Sequence, residues 1–182
     1  MDLGPARPRW SFSRLVLVSP HRERIKERIE FVRRFFPELD SLTIRVGLAQ
    51  KRGVLGWGSL DPERPGIWVR PRRIEYFTIA HELTHLLQAR DLVPRGERAC
   101  DLWAVARSPL LIDCPPSYLR LPRRFGARRR ISLDEATLLH RIARAAIERR
   151  ERGDRRYLIG FERRAAEAFG ERHLGRAAPE ER

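Results

Sequence analysis

Lysine is almost absent from this 182-residue chain: two of its 38 basic residues, Lys26 and Lys51, are lysine and the other 36 are arginine. Cysteine is scarce too. Cys100 and Cys114 make no metal-knuckle pattern, and a disulfide between them needs no invoking in a reducing compartment. No apolar run approaches the roughly 18 residues of a membrane span. Leu15 to Val18 is too short for the core of a signal peptide, although basic residues precede it. These absences argue against a disulfide scaffold and a membrane protein, and lead to the expectation of a cytoplasmic protein.

What is present is a globular composition, 42% hydrophobic, at a length that suits one domain with a real core. The net charge is +14 and the pI about 11.3. A basic surface favours phosphate-rich partners, which keeps nucleic acid among the partner classes. Arginine codon bias and Arg–Glu surface networks explain the same numbers. The densest basic stretch, Arg120 to Arg130, holds six Arg with Phe125 as its only aromatic. That is weak support for base stacking, and no nucleic-acid-binding motif accompanies it.

The chain centres on Tyr76 to Gln88, an apolar stretch containing His81-Glu82-Leu83-Thr84-His85. No proline interrupts Arg72 to Val93, so the stretch reads as a helix. Residues four apart share a helix face, so His81 and His85 can aim two imidazoles at one zinc ion. Glu82 follows the first His and stands beside the open coordination position. It is placed to take a proton from a zinc-bound water as general base and then pass it on. Five His and this composition predict roughly 0.01 chance matches to the motif, which favours function over coincidence.

A catalytic zinc site takes a third protein ligand. Asp91 to Gly96 reads as a turn, and Gly96 to Ala106 as a second helix with Glu97 and Asp101 on one face. A helix hairpin returns Glu97 toward the two histidines. Asp101, one turn on, can accept the second ring N–H of a ligand His and fix its tautomer. Asp101 itself and Asp91 are the other candidates for third ligand.

With these residues the chain resembles the gluzincin metallopeptidases. In that clan His-Glu-x-x-His is followed, on a second helix, by a metal-binding Glu with an Asp four residues later. The matching residues are His81, Glu82, His85, Glu97 and Asp101, within Pro71 to Pro109. The spacer before Glu97 is shorter than in large members, and Gly96 stands where they carry Asn. The resemblance implies a minimal zincin-like α+β domain: an N-terminal helix, a small antiparallel sheet, the motif helix, the second ligand helix and C-terminal helices. It also implies Zn2+ as cofactor, a peptide or protein substrate and an oxyanion-stabilising Tyr or His. Tyr118, His140, Tyr157 and His173 are the candidates for that role.

Along the chain, residues 1–9 read as an irregular lead and 10–18 as a strand or packed arm. Ile25, Ile29, Val32, Phe35 and Phe36 recur at helical steps from His21 until Pro37. Residues 42–48, 54–60 and 67–70 read as strands separated by turns at Lys51–Gly53 and Asp61–Gly66. Val54 to Leu60, rich in glycine, is the candidate edge strand for an extended substrate. Pro71 suits the first turn of the motif helix. Ser108 to Leu121 reads as loop. Ser132 with Glu135 forms a capping box opening a helix to about Arg152, and a shorter helix covers 161–174. The expected division is a metallopeptidase domain at 1–130, a helical extension at 131–174 packed on it, and a tail at 175–182. The extension can simply pack on the core, or cover the cleft and hold an enzyme latent. The functional expectation is zinc-dependent peptide-bond hydrolysis. Its rivals are a SprT-like DNA-associated metalloprotease, which takes a third His as ligand, and a metal-binding module without catalysis.

Overall fold

The computed structural model describes residues 9–49, 56–72, 74–126 and 130–170. The lead at 1–8, the turn at Lys51–Gly53, Val54 and Leu55, the end of the arginine run at 127–129, His173 and the tail all lie outside the described residues. Within them the chain is a mixed α+β structure of six helices and one four-stranded sheet. No described helix is long and apolar enough to cross a membrane.

The chain opens as β1 (Arg9–Phe12) and turns at once into α1 (Arg14–Leu17). The expected arm thus divides at Ser13, whose hydroxyl accepts from the Val16 N–H and starts the helical turn. The amphipathic helix follows as α2 (Arg22–Arg33), burying Ile25, Ile29 and Val32. The strands are β2 (Thr43–Leu48), β3 (Gly56–Gly58) and β4 (Gly66–Val69), in the order β1-β2-β4-β3.

The antiparallel sheet expected from sequence is corrected here. β1 pairs with β2 and β2 with β4 in parallel, and only β3–β4 is antiparallel. The cause is the connection through α1 and α2. A chain that leaves β1 and returns through a crossover helix re-enters in the same direction. β3 then takes the edge, and the hairpin back from it lays β4 alongside β2.

The motif helix α3 (Tyr76–Ala89) runs through the centre of the molecule, between the sheet with α2 and the second helix α4 (Glu97–Val105). Twelve of its residues, Phe77 to Gln88, are buried, as in a helix packed on all sides. Ile79, Leu83, Leu86 and Leu87 fill the core, each contributing about 1.5–3 kcal/mol through burial. Pro71 does not lie in its first turn, which begins at Tyr76. The free N–H groups there are taken from a distance. Asp113 accepts from Tyr76 N at 2.9 Å and from Phe77 N at 3.1 Å. Arg28 of α2 reaches the same end, donating to the Ile74 carbonyl and lying 4.5 Å from the Tyr76 ring centre.

The hairpin between α3 and α4 depends on Gly96. Its φ of 104° lies in a region that side chains disfavour. After α4 come α5 (Leu133–Glu151), opened by the expected Ser132–Glu135 capping box, and α6 (Tyr157–Ala168). α6 starts earlier than the spacing suggested, and Gly170 follows its end. Leu139, Ala143, Phe161 and Ala165 join the same core as α3 and α4. Glu162 of α6 also pairs with Arg98 of α4 at 2.7 Å and accepts from Arg120 N at 3.0 Å.

Candidate metal centre

The turn of α3 between His81 and His85 brings their Nε2 atoms to 3.1 Å. Gly96 and the first turn of α4 carry Glu97 back to the same point. Its Oε2 lies 3.1 Å from His81 Nε2 and 3.4 Å from His85 Nε2. Tetrahedral zinc with bonds of about 2.0–2.1 Å holds its ligand atoms about 3.3 Å apart. The three atoms therefore have the separation that the ion requires.

The other ring nitrogens decide which protons are present. His81 Nδ1 is 2.7 Å from Asp101 Oδ1. Asp101 is fully buried, and its second oxygen accepts from Tyr118 N at 2.6 Å and Leu119 N at 3.3 Å. An ionised carboxylate only accepts, so His81 carries its proton on Nδ1. His85 Nδ1 is 2.8 Å from Gln88 Oε1. The Gln88 amide cannot be reversed, because its Nε2 donates to the carbonyls of Pro94 at 2.7 Å and Gly96 at 3.0 Å. His85 is thus also protonated on Nδ1. With both rings neutral, two Nε2 lone pairs and a carboxylate oxygen converge, a set that favours a cation, either a metal ion or a proton on His81 Nε2.

The titration directions show where a proton goes when no metal is bound, namely to His81. Burial pushes His81 toward the neutral form, but the Asp101 hydrogen bond and the surrounding carboxylates leave its pKa raised. For His85, burial and the neighbouring His81 lower it. The pair thus favours one added positive charge and disfavours two. Glu82 is 5% exposed, and burial lifts its pKa to about 7, with Glu97 and Asp101 adding to the rise and His81 opposing it. A carboxyl near neutrality can both accept and return a proton.

Cys100 is the residue that the spacing argument missed. With His81 and His85 it offers a ligand atom in a group spanning 4.8 Å, a second set able to hold a metal. Its thiol faces the His81 carbonyl at 3.1 Å, and burial pushes its pKa strongly up. A bound metal would itself draw the proton from such a thiol, so Cys100 and Glu97 are both candidates for a third ligand beside the two histidines. Gln88 was missed as well, since a glutamine in an apolar helix carries no signal in sequence. Asp91 is turned to solvent, paired with Arg95 at 3.3 Å, and does not join the cluster.

Of the oxyanion candidates, Tyr118 stacks on His81 with ring centres 5.6 Å apart. His140 instead bonds the Val105 carbonyl, and Tyr157 packs against Trp103 on another side of α4. β3 roofs the cluster. A Cβ at Gly56 would lie 2.4 Å from Glu82 Oε1, and one at Gly58 would lie 2.6 Å from the Glu82 carbonyl. At Gly58, where the obstacles are a backbone oxygen and the His85 Cβ, only glycine permits this approach. Ser59 N donates to Gly66 O, so by antiparallel alternation the peptide groups of Gly56 and Gly58 point to the free edge. Among the described residues no strand pairs with that edge.

No protein-family model, curated protein or solved structure matches this chain.

Proposed function

We propose that the protein is a zinc-dependent peptidase of minimal zincin-like fold, similar in its ligand set to the gluzincins. The observation that carries this reading is the convergence of His81 Nε2, His85 Nε2 and Glu97 Oε2 within 3.4 Å, their protons held away by Asp101 and Gln88. A zinc ion held there supplies Lewis acidity and a more acidic water. Glu82 takes the proton of the water that attacks the peptide carbonyl carbon. It returns a proton to the amine nitrogen as the C–N bond breaks. Tyr118 donates its phenolic hydrogen toward the carbonyl oxygen as charge develops. The free edge of β3 aligns an extended peptide through main-chain hydrogen bonds, which need no particular sequence.

The DNA-associated alternative takes a histidine as third ligand; His140 does not gather with His81 and His85, and His173 lies outside the described residues. Metal content and peptide cleavage test the proposal together. Wild type should hold one zinc per chain, His85→Ala and Glu97→Ala should lose it, and Cys100→Ala should keep it. Glu82→Gln should retain zinc and lose hydrolysis. Zinc kept by Glu97→Ala but lost by Cys100→Ala would replace the ligand set. A zinc-loaded wild type inert toward a broad peptide library would favour the module without catalysis. DNA-stimulated cleavage would favour the DNA-associated reading.

A further inference from the structure

The three parallel strands end together. β1, β2 and β4 run the same way, so Ser13, Ala49 and Arg70, each the residue after a strand, lie at one end of the sheet. In open α/β sheets ligands gather outside the carboxyl ends of the strands. A crevice of about 720 Å³ lies at this end, with Ser19, His21, Ala49, Arg70 and Arg72 among its walls. No acidic residue occurs in the three segments that meet here, 9–22, 43–49 and 66–72. The crevice is therefore cationic, with no carboxylate in its described lining.

Directly before the crevice the chain carries an apolar knob. α1 buries Val16 and turns its neighbours outward: Leu15 is 48% exposed, Leu17 45% and Val18 70%, the highest among the exposed large apolar side chains of the described residues. Successive helix residues are about 100° apart, so these three spread over the arc opposite Val16. Val18 leads straight into Ser19 and Pro20 of the crevice wall. Exposed Arg14, Arg22 and Arg24 flank the knob in sequence. Glu23, the first acid after it, is held by Arg22 at 2.6 Å and Lys26 at 3.7 Å. A contiguous group of exposed apolar side chains with a polar rim marks an interaction site. A second copy of this chain is a poor occupant, since its own arginines would meet these.

We propose that this end of the molecule docks on an anionic lipid bilayer, with Leu15, Leu17 and Val18 entering the headgroup boundary and Arg70 and Arg72 holding a lipid phosphate in the crevice. Neither signal suffices alone. Three part-exposed side chains bury little area, and basic residues by themselves attract any polyanion. Stable attachment takes two signals, such as an apolar insertion and a basic patch, and here the two adjoin. The planar fork of a guanidinium matches the oxygens of a phosphate. Attachment of this kind needs no membrane-crossing helix. α1 follows β1, at the edge of the sheet opposite β3, so docking leaves the free edge of β3 in water. The inference stands apart from the peptidase reading and does not depend on it.

The test is co-sedimentation of the full chain with vesicles of phosphatidylcholine, alone or with about 30% phosphatidylserine, at about 0.1 M salt. Wild type should bind the anionic vesicles at least about tenfold more tightly than the neutral ones. Leu17→Ser with Val18→Ser should weaken that binding at least about tenfold, and Arg72→Gln about fivefold. Both variants should melt as wild type does and keep its zinc content, because the replaced side chains are exposed and remote from the metal cluster. Wild-type binding by the serine variant would overturn the insertion and leave only the general attraction of a basic surface. Wild-type binding by Arg72→Gln would remove the headgroup site. An oligonucleotide held tightly by wild type and serine variant alike, with no vesicle binding, would assign this end to nucleic acid. Dimers that the serine substitutions dissociate in the absence of lipid would assign the knob to a second copy. Either result would overturn the proposal and leave the peptidase reading standing.

Discussion

Replacing Gly58 by alanine tests whether β3 lies on the motif helix as tightly as the structure has it. The new Cβ would meet the Glu82 carbonyl oxygen at 2.6 Å and His85 Cβ at 2.8 Å. Carbon contacts are comfortable at about 3.5–4.0 Å, and neither obstacle can rotate aside, since one is backbone and the other is fixed to it. The strand or the helix must move. Overpacking of this kind costs about 1–3 kcal/mol. For a chain of this length that lowers Tm by roughly 3–10 °C. The motion also tilts His85, so zinc affinity should fall together with stability. Gly56→Ala is the matched control, because its Cβ would meet only the side chain of Glu82, at 2.4 Å from Oε1 and 2.9 Å from Cδ and Cγ. That side chain can swing away, and alanine is better than glycine in a strand by about 0.5–1 kcal/mol. Gly56→Ala should therefore melt within about 1 kcal/mol of wild type, bind zinc normally and lose hydrolysis. Thermal melts with zinc titrations of both variants decide the matter. Wild-type stability and zinc affinity in Gly58→Ala would refute the close approach of β3.

Three further outcomes follow from the same geometry. In metal-free protein, Glu82 sits at about 7 against an ordinary 4.5, so the folded state holds its proton more tightly than the unfolded chain. Stability from this group is full below about 4.5 and falls as pH rises toward 7, by about 3 kcal/mol in all. Chelator-treated Glu82→Gln should therefore be the more stable protein at about pH 8 and equal to wild type at about pH 4; equal melting at both would place Glu82 in water. Gln88→Glu cannot donate to the Pro94 and Gly96 carbonyls, and zinc affinity should drop about 10–100-fold, read by competition with a chromogenic chelator. Asp113→Ala removes the distant cap of α3 and should cost about 0.5–2 kcal/mol in urea unfolding while leaving the ligand residues untouched.

The elements of this fold are written locally, but the order of the sheet is not. Ile25, Ile29 and Val32 announce α2 by spacing alone, and Ser132 with Glu135 announces α5 by a hydrogen-bond exchange within four residues. Whether β2 has a second parallel neighbour beside β4 depends on Arg9–Phe12 being a strand at all, and half of the apolar run that suggested it became α1. The deciding bond, Ser13 to Val16, is one weak local preference among several. The α3 cap shows the same limit. Glu75 stands at the N-cap but its side chain makes no capping bond, and the acceptor that serves comes from Asp113, 37 residues on, which no periodicity can point to.

The site divides along the same line. His81 and His85 are legible because one helical turn fixes their relation, and Glu97 and Asp101 because a second turn repeats it after a short hairpin. Gln88 is not legible, since its role arises only when the hairpin folds back and sets two carbonyls against its amide nitrogen. Once that happens the amide has one orientation, His85 has one tautomer, and Asp101 forces the same tautomer on His81. Both Nε2 atoms then face the Glu97 carboxylate. Three acceptors held within 3.4 Å repel one another unless a positive charge joins them, and the packed face of Ile79, Leu83, Leu86 and Leu87 is what holds α3 against that repulsion. A rigid cluster of acceptors favours a cation more strongly than a flexible one, because little of the binding energy is spent on gathering its ligands.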